Sequence, residues 1–294
     1  MTGTPIVSPS GLPWDNPDEV FAYPPPHTAK QVRYVDNPPI ELTVEHIKKT
    51  IQDYVRTAQW AMECGFDGVE VHGGNGYLPE QFLASNVNKR TDAYGGSPEK
   101  RCTFTLELME ELSKAIGEEN LAIRLSPFGL FNQIRCEQRM ETWTTLCRKL
   151  KEAHPNLSYV SFIEPVRASF PLPLTKANLP QRYEQIHSES EKQKFLDSWG
   201  LSSIDLAPFR SIFGSTPFFS AGGFDATNSW GVLESGKYDA LLYGRYFISN
   251  PDLPERLKQG LPLAMYDRSR FYGPFEDNTI CYTDYPMWKQ ESAP

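Results

Sequence analysis

A chain of 294 residues with 39% hydrophobic and 22% charged residues is too apolar for a disordered segment and suits a single α/β barrel. A net charge of −8 with no basic stripe excludes a nucleic-acid binder. Cys64, Cys102, Cys136, Cys147 and Cys281 are widely spaced with no C-x-x-C pair, and no long apolar run occurs. That usage argues against a disulfide framework, a metal site and a membrane span, and sets the expectation of free thiols in the cytoplasm.

Residues 1–42 carry Pro5, Pro9, Pro13, Pro17, Pro24, Pro25, Pro26, Pro38 and Pro39 without lasting periodicity, which predicts an irregular arm. The texture changes at Thr43. A capping start is followed by Ile47, Ile51, Tyr54, Val55, Ala58 and Ala61 at helical spacing, with Gly65 as the stop. A short strand, 67–72, runs into Gly73 and Gly74. Helix and strand then alternate: a helix over about 98–116 before a strand at 121–125, and one over about 139–153 before a strand at 158–163. A further segment precedes a strand at 217–221, and a helix near 226–235 precedes one at 238–243. Alternation of this kind means parallel pairing. The prediction for residues 43–294 is a (β/α)8 TIM-barrel type fold with about five of its eight strands evident, so that a partner chain, a second copy or a rearranged terminus would cover the open edge.

In parallel barrels the working residues gather just after the strand ends. His72 and Asn75 follow the first strand with only small residues between them, and on a tight loop both can aim at one point. Two such donors would hold an oxyanion such as an enone carbonyl oxygen, with Tyr77 placed to deliver a proton. Arg124 lies inside the apolar run Leu-Ala-Ile-Arg-Leu. A buried guanidinium needs either an anion or an internal ion pair, for which Glu70 and Glu164 are the candidates. Ser220-Ala221-Gly222-Gly223 and Tyr243-Gly244-Arg245 look like two backbone-donor turns with one arginine, the kind of late strand end that holds a phosphate. No P-loop, dinucleotide fingerprint, H-E-x-x-H or G-x-S-x-G is present. The stretch 165–212, with Arg167, Pro171, Pro173, His187 and Trp199, is expected to select the substrate.

These residues carry a resemblance. GFDGVEVHGGNGYLPEQFLASNVNKRTDAYGGSPEKRCTF resembles the signature of the old yellow enzyme family of flavin-dependent ene-reductases. LAIRLSPFGLFN, FIEP, SAGGF, LLYGRYFISNPDLPERLKQGLPL and DRSRFY continue it in order, from about residue 43 to 288. Among fungal members it is most similar to the secondary-metabolism type. The resemblance implies that His72 and Asn75 bind the substrate carbonyl and that Tyr77 is the proton donor. It implies that Arg124, Gly222, Gly223, Gly244 and Arg245 hold FMN, and that Tyr272 lines the substrate pocket. NAD(P)H would reduce the flavin, which would then reduce the activated alkene of a small-molecule enone or enal. Two departures go with it. The family's flavin-tuning threonine and ring-contacting amide lie before the point where this chain begins, so an N-terminally truncated member is expected. The family's Ala-Gly-Asn turn here reads Ala221-Gly222-Gly223. The alternative reading is a flavin-independent isomerase or cyclase that uses the same His, Asn and Tyr on a polyketide or alkaloid.

Overall fold

Thr43 opens the first long helix as its position predicts. In the computed structural model, which describes residues 5–20, 32–164, 188–199, 201, 204–272 and 275–288, its hydroxyl oxygen accepts the His46 N–H at 3.1 Å. Helix α1 (Val44–Glu63) buries Ile47, Ile51 and Ala58 on one face and packs against α4 (Thr103–Ile116). Gly65 follows at φ +88°, a left-handed position suited to glycine beyond a helix end. The helix expected over 98–116 is divided into α3 (Pro98–Arg101) and α4 at Cys102, which itself keeps a right-handed helical conformation. Helix α5 (Arg139–Ala153) falls where the periodicity puts it. The short helices α2 (Leu78–Leu83), α9 (Arg245–Ser249) and α10 (Leu253–Gln259) have no long periodic signal, because five to seven residues hold at most two turns. Helix α8 (Ser229–Glu234) is shorter than expected, and α6 (Glu189–Trp199) and α7 (Ala207–Phe213) occupy the stretch before the fourth predicted strand.

All five predicted strands of the main sheet form: β3 (Val69–Gly73), β4 (Leu121–Leu125), β5 (Tyr159–Ile163), β6 (Phe218–Ala221) and β7 (Ala240–Leu242). They pair in parallel in the order β3-β4-β5-β6-β7, which is also chain order. A doubly wound sheet reverses its strand order at a switch point. This one never does, so it is an arc of a (β/α)8 barrel.

The two faces of the arc differ. Val71, Ile123, Leu125, Val160, Phe162 and Phe218 join the hydrophobic core with Leu108, Leu112, Trp143, Leu146 and Phe209 of the helices. Phe162 anchors this layer, with its ring centroid 4.6 Å from Phe218 and 5.3 Å from Phe209. The concave face carries the alternate residues. His72, Arg124, Ser161, Phe219 and Ala240 form one row across all five strands. Glu70, Ala122 and Tyr159 form the row beneath.

The described part of the N-terminal arm is more ordered than its prolines predict. Strand β1 (Val7–Ser8) pairs in parallel with β2 (Ile40–Glu41). The buried guanidinium of Arg90 donates to the carbonyls of Pro9 at 2.7 Å and Leu42 at 2.6 Å, and ion-pairs with Asp92 and Glu41. Sequence periodicity cannot reveal this, because the tie is made by one arginine some 80 positions away. Among the described residues, no strand pairs with the outer edge of β3 or of β7.

Candidate active site

The loop after β3 is tight. Asn75 and Gly76 adopt left-handed conformations at φ +54° and +69°, and the Tyr77 N–H closes the turn on the Gly74 carbonyl at 3.2 Å. Tyr77 then caps α2 with an extended backbone. The rings of His72 and Tyr77 stand 5.5 Å apart. Burial, and then the positive charge of Arg124, hold the His72 imidazole below its ordinary pKa, so the ring is neutral at pH 7 and donates from one nitrogen only.

Arg124 faces His72 across the β3–β4 pair and Ser161 across the β4–β5 pair. The two ion-pair partners considered from sequence are otherwise engaged. Glu164 bonds to Lys237 at 3.3 Å and to the Tyr238 hydroxyl. Glu70 accepts from Tyr159. Burial raises its pKa, while the Tyr159 bond and the more distant Arg124 charge oppose the rise. Tyr159 is itself pushed up to about 12 by burial and by Glu70. Among the described residues Arg124 makes no ion pair, and its buried Nε has no hydrogen-bond partner. Such an atom is costly unless something outside the chain satisfies it.

One open cavity of about 340 Å³ gathers the strand ends. Asn75, Tyr77, Arg124, Gly222, Gly223, Gly244, Arg245 and Tyr272 all line it. His72 is not in its wall, but lies beside Arg124 in the same concave row. Tyr77 and Tyr272 are 52% and 58% exposed, which puts both rings at the mouth. Arg167, Pro171, Pro173 and His187 lie outside the described residues.

Sequence reasoning missed Arg268, a third arginine in the wall, and Glu80, a fully buried acid behind it. Arg268 falls within DRSRFY, but a short charged turn gives no sign of which arginine faces the cavity. Glu80 was recoverable, since an acid flanked by Leu78, Pro79, Phe82 and Leu83 is placed for burial. Its oxygens accept from Gly76 N–H at 2.5 Å and from the Ser126 hydroxyl at 2.8 Å. Burial lifts the Glu80 acid to about 7 and lowers the Arg139 guanidinium behind it to about 10, so desolvation outweighs their mutual attraction in both.

The cavity suits an anionic ligand with a polar planar edge. In an acidic chain it collects Arg124, Arg245 and Arg268 against one carboxylate, Glu164, that is already paired. A Cβ built on Gly244 would meet nothing within 4 Å, so its backbone borders open space. Arg245 is fixed by donating to the Tyr266 hydroxyl at 2.8 Å, with its guanidinium 5.2 Å from that ring. The arginine-rich wall and the open backbone at Gly244 are compatible with FMN, whose phosphate would lie by Gly222, Gly223, Gly244 and Arg245 and whose ring edge would lie by Arg124.

The strand ends of this (β/α) barrel arc gather polar side chains, a tyrosine and three arginines around one cavity. Residues 13–264 match the NADH:flavin oxidoreductase / NADH oxidase family, and the chain belongs to it. The match takes in much of the N-terminal arm, where the sequence resemblance had been placed only from residue 43. The chain is 42% identical over 263 residues to flavin oxidoreductase hxnT of Emericella nidulans, covering 86% of this chain and 62% of that protein. It is 36% identical over 252 residues to 12-oxophytodienoate reductase 1 of Oryza sativa subsp. japonica, covering 86% and 58%. The chain thus spans about three-fifths of the length of these curated relatives. Among solved structures, morphinone reductase in complex with tetrahydroNAD superposes with a TM-score of 0.75 at 31% identity, covering 100% of this chain and 69% of that one. The old yellow enzyme homologue from Zymomonas mobilis superposes with a TM-score of 0.76 at 24% identity, covering 97% and 69%, a likeness of fold. Among the described residues no helix is long and apolar enough to cross a membrane, and no group of three or more metal-ligating side chains occurs.

Proposed function

We propose that the protein is an FMN-dependent oxidoreductase that reduces the activated C=C bond of an enone or enal at the expense of NAD(P)H. The observation that carries the reading is the gathering of Asn75, Tyr77, Arg124, Gly222, Gly223, Gly244 and Arg245 around one cavity. FMN, when bound, would supply hydride to the β-carbon of the alkene. The chain's own residues do the rest. The neutral His72 ring and the Asn75 amide donate to the carbonyl oxygen, drawing charge from the β-carbon and stabilising the enolate oxygen as it forms. Tyr77 Oη gives its proton to the α-carbon, and solvent at the exposed mouth restores it. Tyr272 covers the mouth beside Tyr77 and restricts the substrate's approach.

A small-molecule intermediate of secondary metabolism, met in the cytoplasm, completes the proposal; the five free cysteines support that compartment. Among the described residues no strand pairs with the outer edges of β3 and β7, which supports association with a second chain or copy; size-exclusion chromatography tests this. The reductase reading itself is tested by titrating purified protein with FMN, then following anaerobic NADPH oxidation with and without cyclohex-2-enone. Saturable flavin uptake with enone-dependent oxidation is expected. No uptake, or uptake with no enone reduction, overturns the reading. Three of the relatives named above are oxidoreductases or reductases by name, and nothing observed favours the isomerase or cyclase alternative.

A further inference from the structure

The turn that presents Asn75 and Tyr77 is built almost wholly by side chains. Each of the four backbone polar groups of Asn75 and Gly76 has a side-chain partner. The Asn75 N–H donates to Ser126 Oγ at 2.9 Å, and Asn132 Nδ2 donates to the Asn75 carbonyl at 3.0 Å. The Gly76 N–H donates to one Glu80 oxygen at 2.5 Å, and Gln81 Nε2 donates to the Gly76 carbonyl at 2.9 Å. Ser126 closes the cage by donating its hydroxyl to the other Glu80 oxygen at 2.8 Å.

The cage surrounds a backbone in an uncommon conformation. Asn75 lies at φ +54°, and Asn132 and Gln133, facing it across the β4 loop, lie at +52° and +62°. Asn enters this region more readily than other non-glycine residues, but three such residues at one place, Gln133 among them, mark a backbone set by its surroundings. The fit leaves no slack. A Cβ on Gly76 would stand 2.4 Å from Asn132 Cβ, and one on Gly74 would stand 2.8 Å from Ser126 Oγ. Glu80 is fully buried, and an acid in that position is costly. Helix α2 has Glu80 in its first turn, but full burial is more than a first-turn acid requires.

We propose that Glu80, Ser126 and Asn132 are positioning residues that lock the Asn75–Gly76 turn so that the Asn75 amide and the Tyr77 hydroxyl meet the substrate together. The kinetic consequence rests on the reductase reading above; the structural consequence does not.

The test uses the full chain and two variants, Ser126→Ala and Glu80→Gln. The first removes the partner of the Asn75 N–H. The second keeps the size of the acid but leaves one oxygen where two accepted. Amide exchange resolved by NMR is read at Asn75 and Gly76 and in β4 and α5, together with FMN affinity and the split between kcat and KM for cyclohex-2-enone. In Ser126→Ala the two turn amides should exchange at least tenfold faster, while β4 and α5 stay within twofold. FMN affinity should stay within twofold, and kcat should fall tenfold or more with little change in KM. Glu80→Gln should show the same pattern at Gly76, and it decides the question if Ser126→Ala does not fold. Unchanged turn exchange overturns the cage, and faster exchange with undiminished kcat overturns its positioning role. A wild-type chain that reduces no enone overturns the reductase reading instead, and the exchange comparison still decides whether the cage holds the turn.

Discussion

Ser126 and Asn75 lie 51 positions apart, yet the Ser126 hydroxyl oxygen accepts the Asn75 N–H at 2.9 Å. The end of β4 therefore sets the backbone at the end of β3, its neighbour in the sheet. Parallel register makes this link between strand ends, and it puts the chemistry of one loop under the control of the next.

Tyr77 is the proton donor in the proposed reaction, so Tyr77→Phe should lower enone turnover roughly 100-fold or more while leaving FMN affinity unchanged. His72→Ala and Asn75→Ala should each remove one carbonyl donor, lowering kcat/KM by roughly two orders of magnitude. Steady-state kinetics beside a flavin titration separates the two effects. Turnover undiminished in Tyr77→Phe would assign the proton to another group.

Arg124 should matter to the cofactor before it matters to the substrate. It lines the cavity and, among the described residues, makes no ion pair. A charge-assisted hydrogen bond is worth about 1.5–3 kcal/mol, so Arg124→Met should weaken FMN binding roughly 10- to 100-fold. Equilibrium fluorescence titration measures this without any turnover. Equal FMN affinity in variant and wild type would mean that the guanidinium serves the fold alone.

Glu80 should leave a signature in stability against pH. Its carboxyl rises from 4.5 to about 7 on folding, with burial as the first cause. The folded chain therefore keeps a proton that the unfolded chain has already released. The stability contributed below about pH 4.5 is lost progressively as pH climbs to about 7, by about 3 kcal/mol in all. Glu80→Gln cannot ionise, so its urea-unfolding curves should lack this decline. The difference between the two proteins across pH 4.5–8 isolates the one group, and parallel profiles would contradict the assignment.

Arg90 should hold the N-terminal arm. Replacing it with Met leaves the Pro9 and Leu42 carbonyls and the Asp92 carboxylate without their shared donor. A loss of about 3 kcal/mol is expected, with faster proteolytic cleavage within residues 5–20. Limited proteolysis followed by mass spectrometry checks the site of cutting. Cleavage no faster than wild type would show that the β1–β2 pairing alone secures the arm.

The sequence by itself determined the alternation of helix and strand, the five strands of the arc and the helix start at Thr43. Local periodicity and capping are short-range physics, and they can be read along the chain. The candidate-site motifs were legible for the same reason: strand ends in a parallel sheet lie at predictable points, with His72 and Arg124 one residue short of theirs and Asn75, Tyr77 and Arg245 just beyond. Tertiary structure decided the rest. It gathered those strand ends around one cavity, left His72 beside the wall rather than in it, and added Arg268. It also made Glu80, whose apolar flanks mark it for burial but name no partners, the centre of the cage around Asn75. Which donors meet an acid, and whether water reaches it, depends on side chains far apart in sequence. No period along the chain records that.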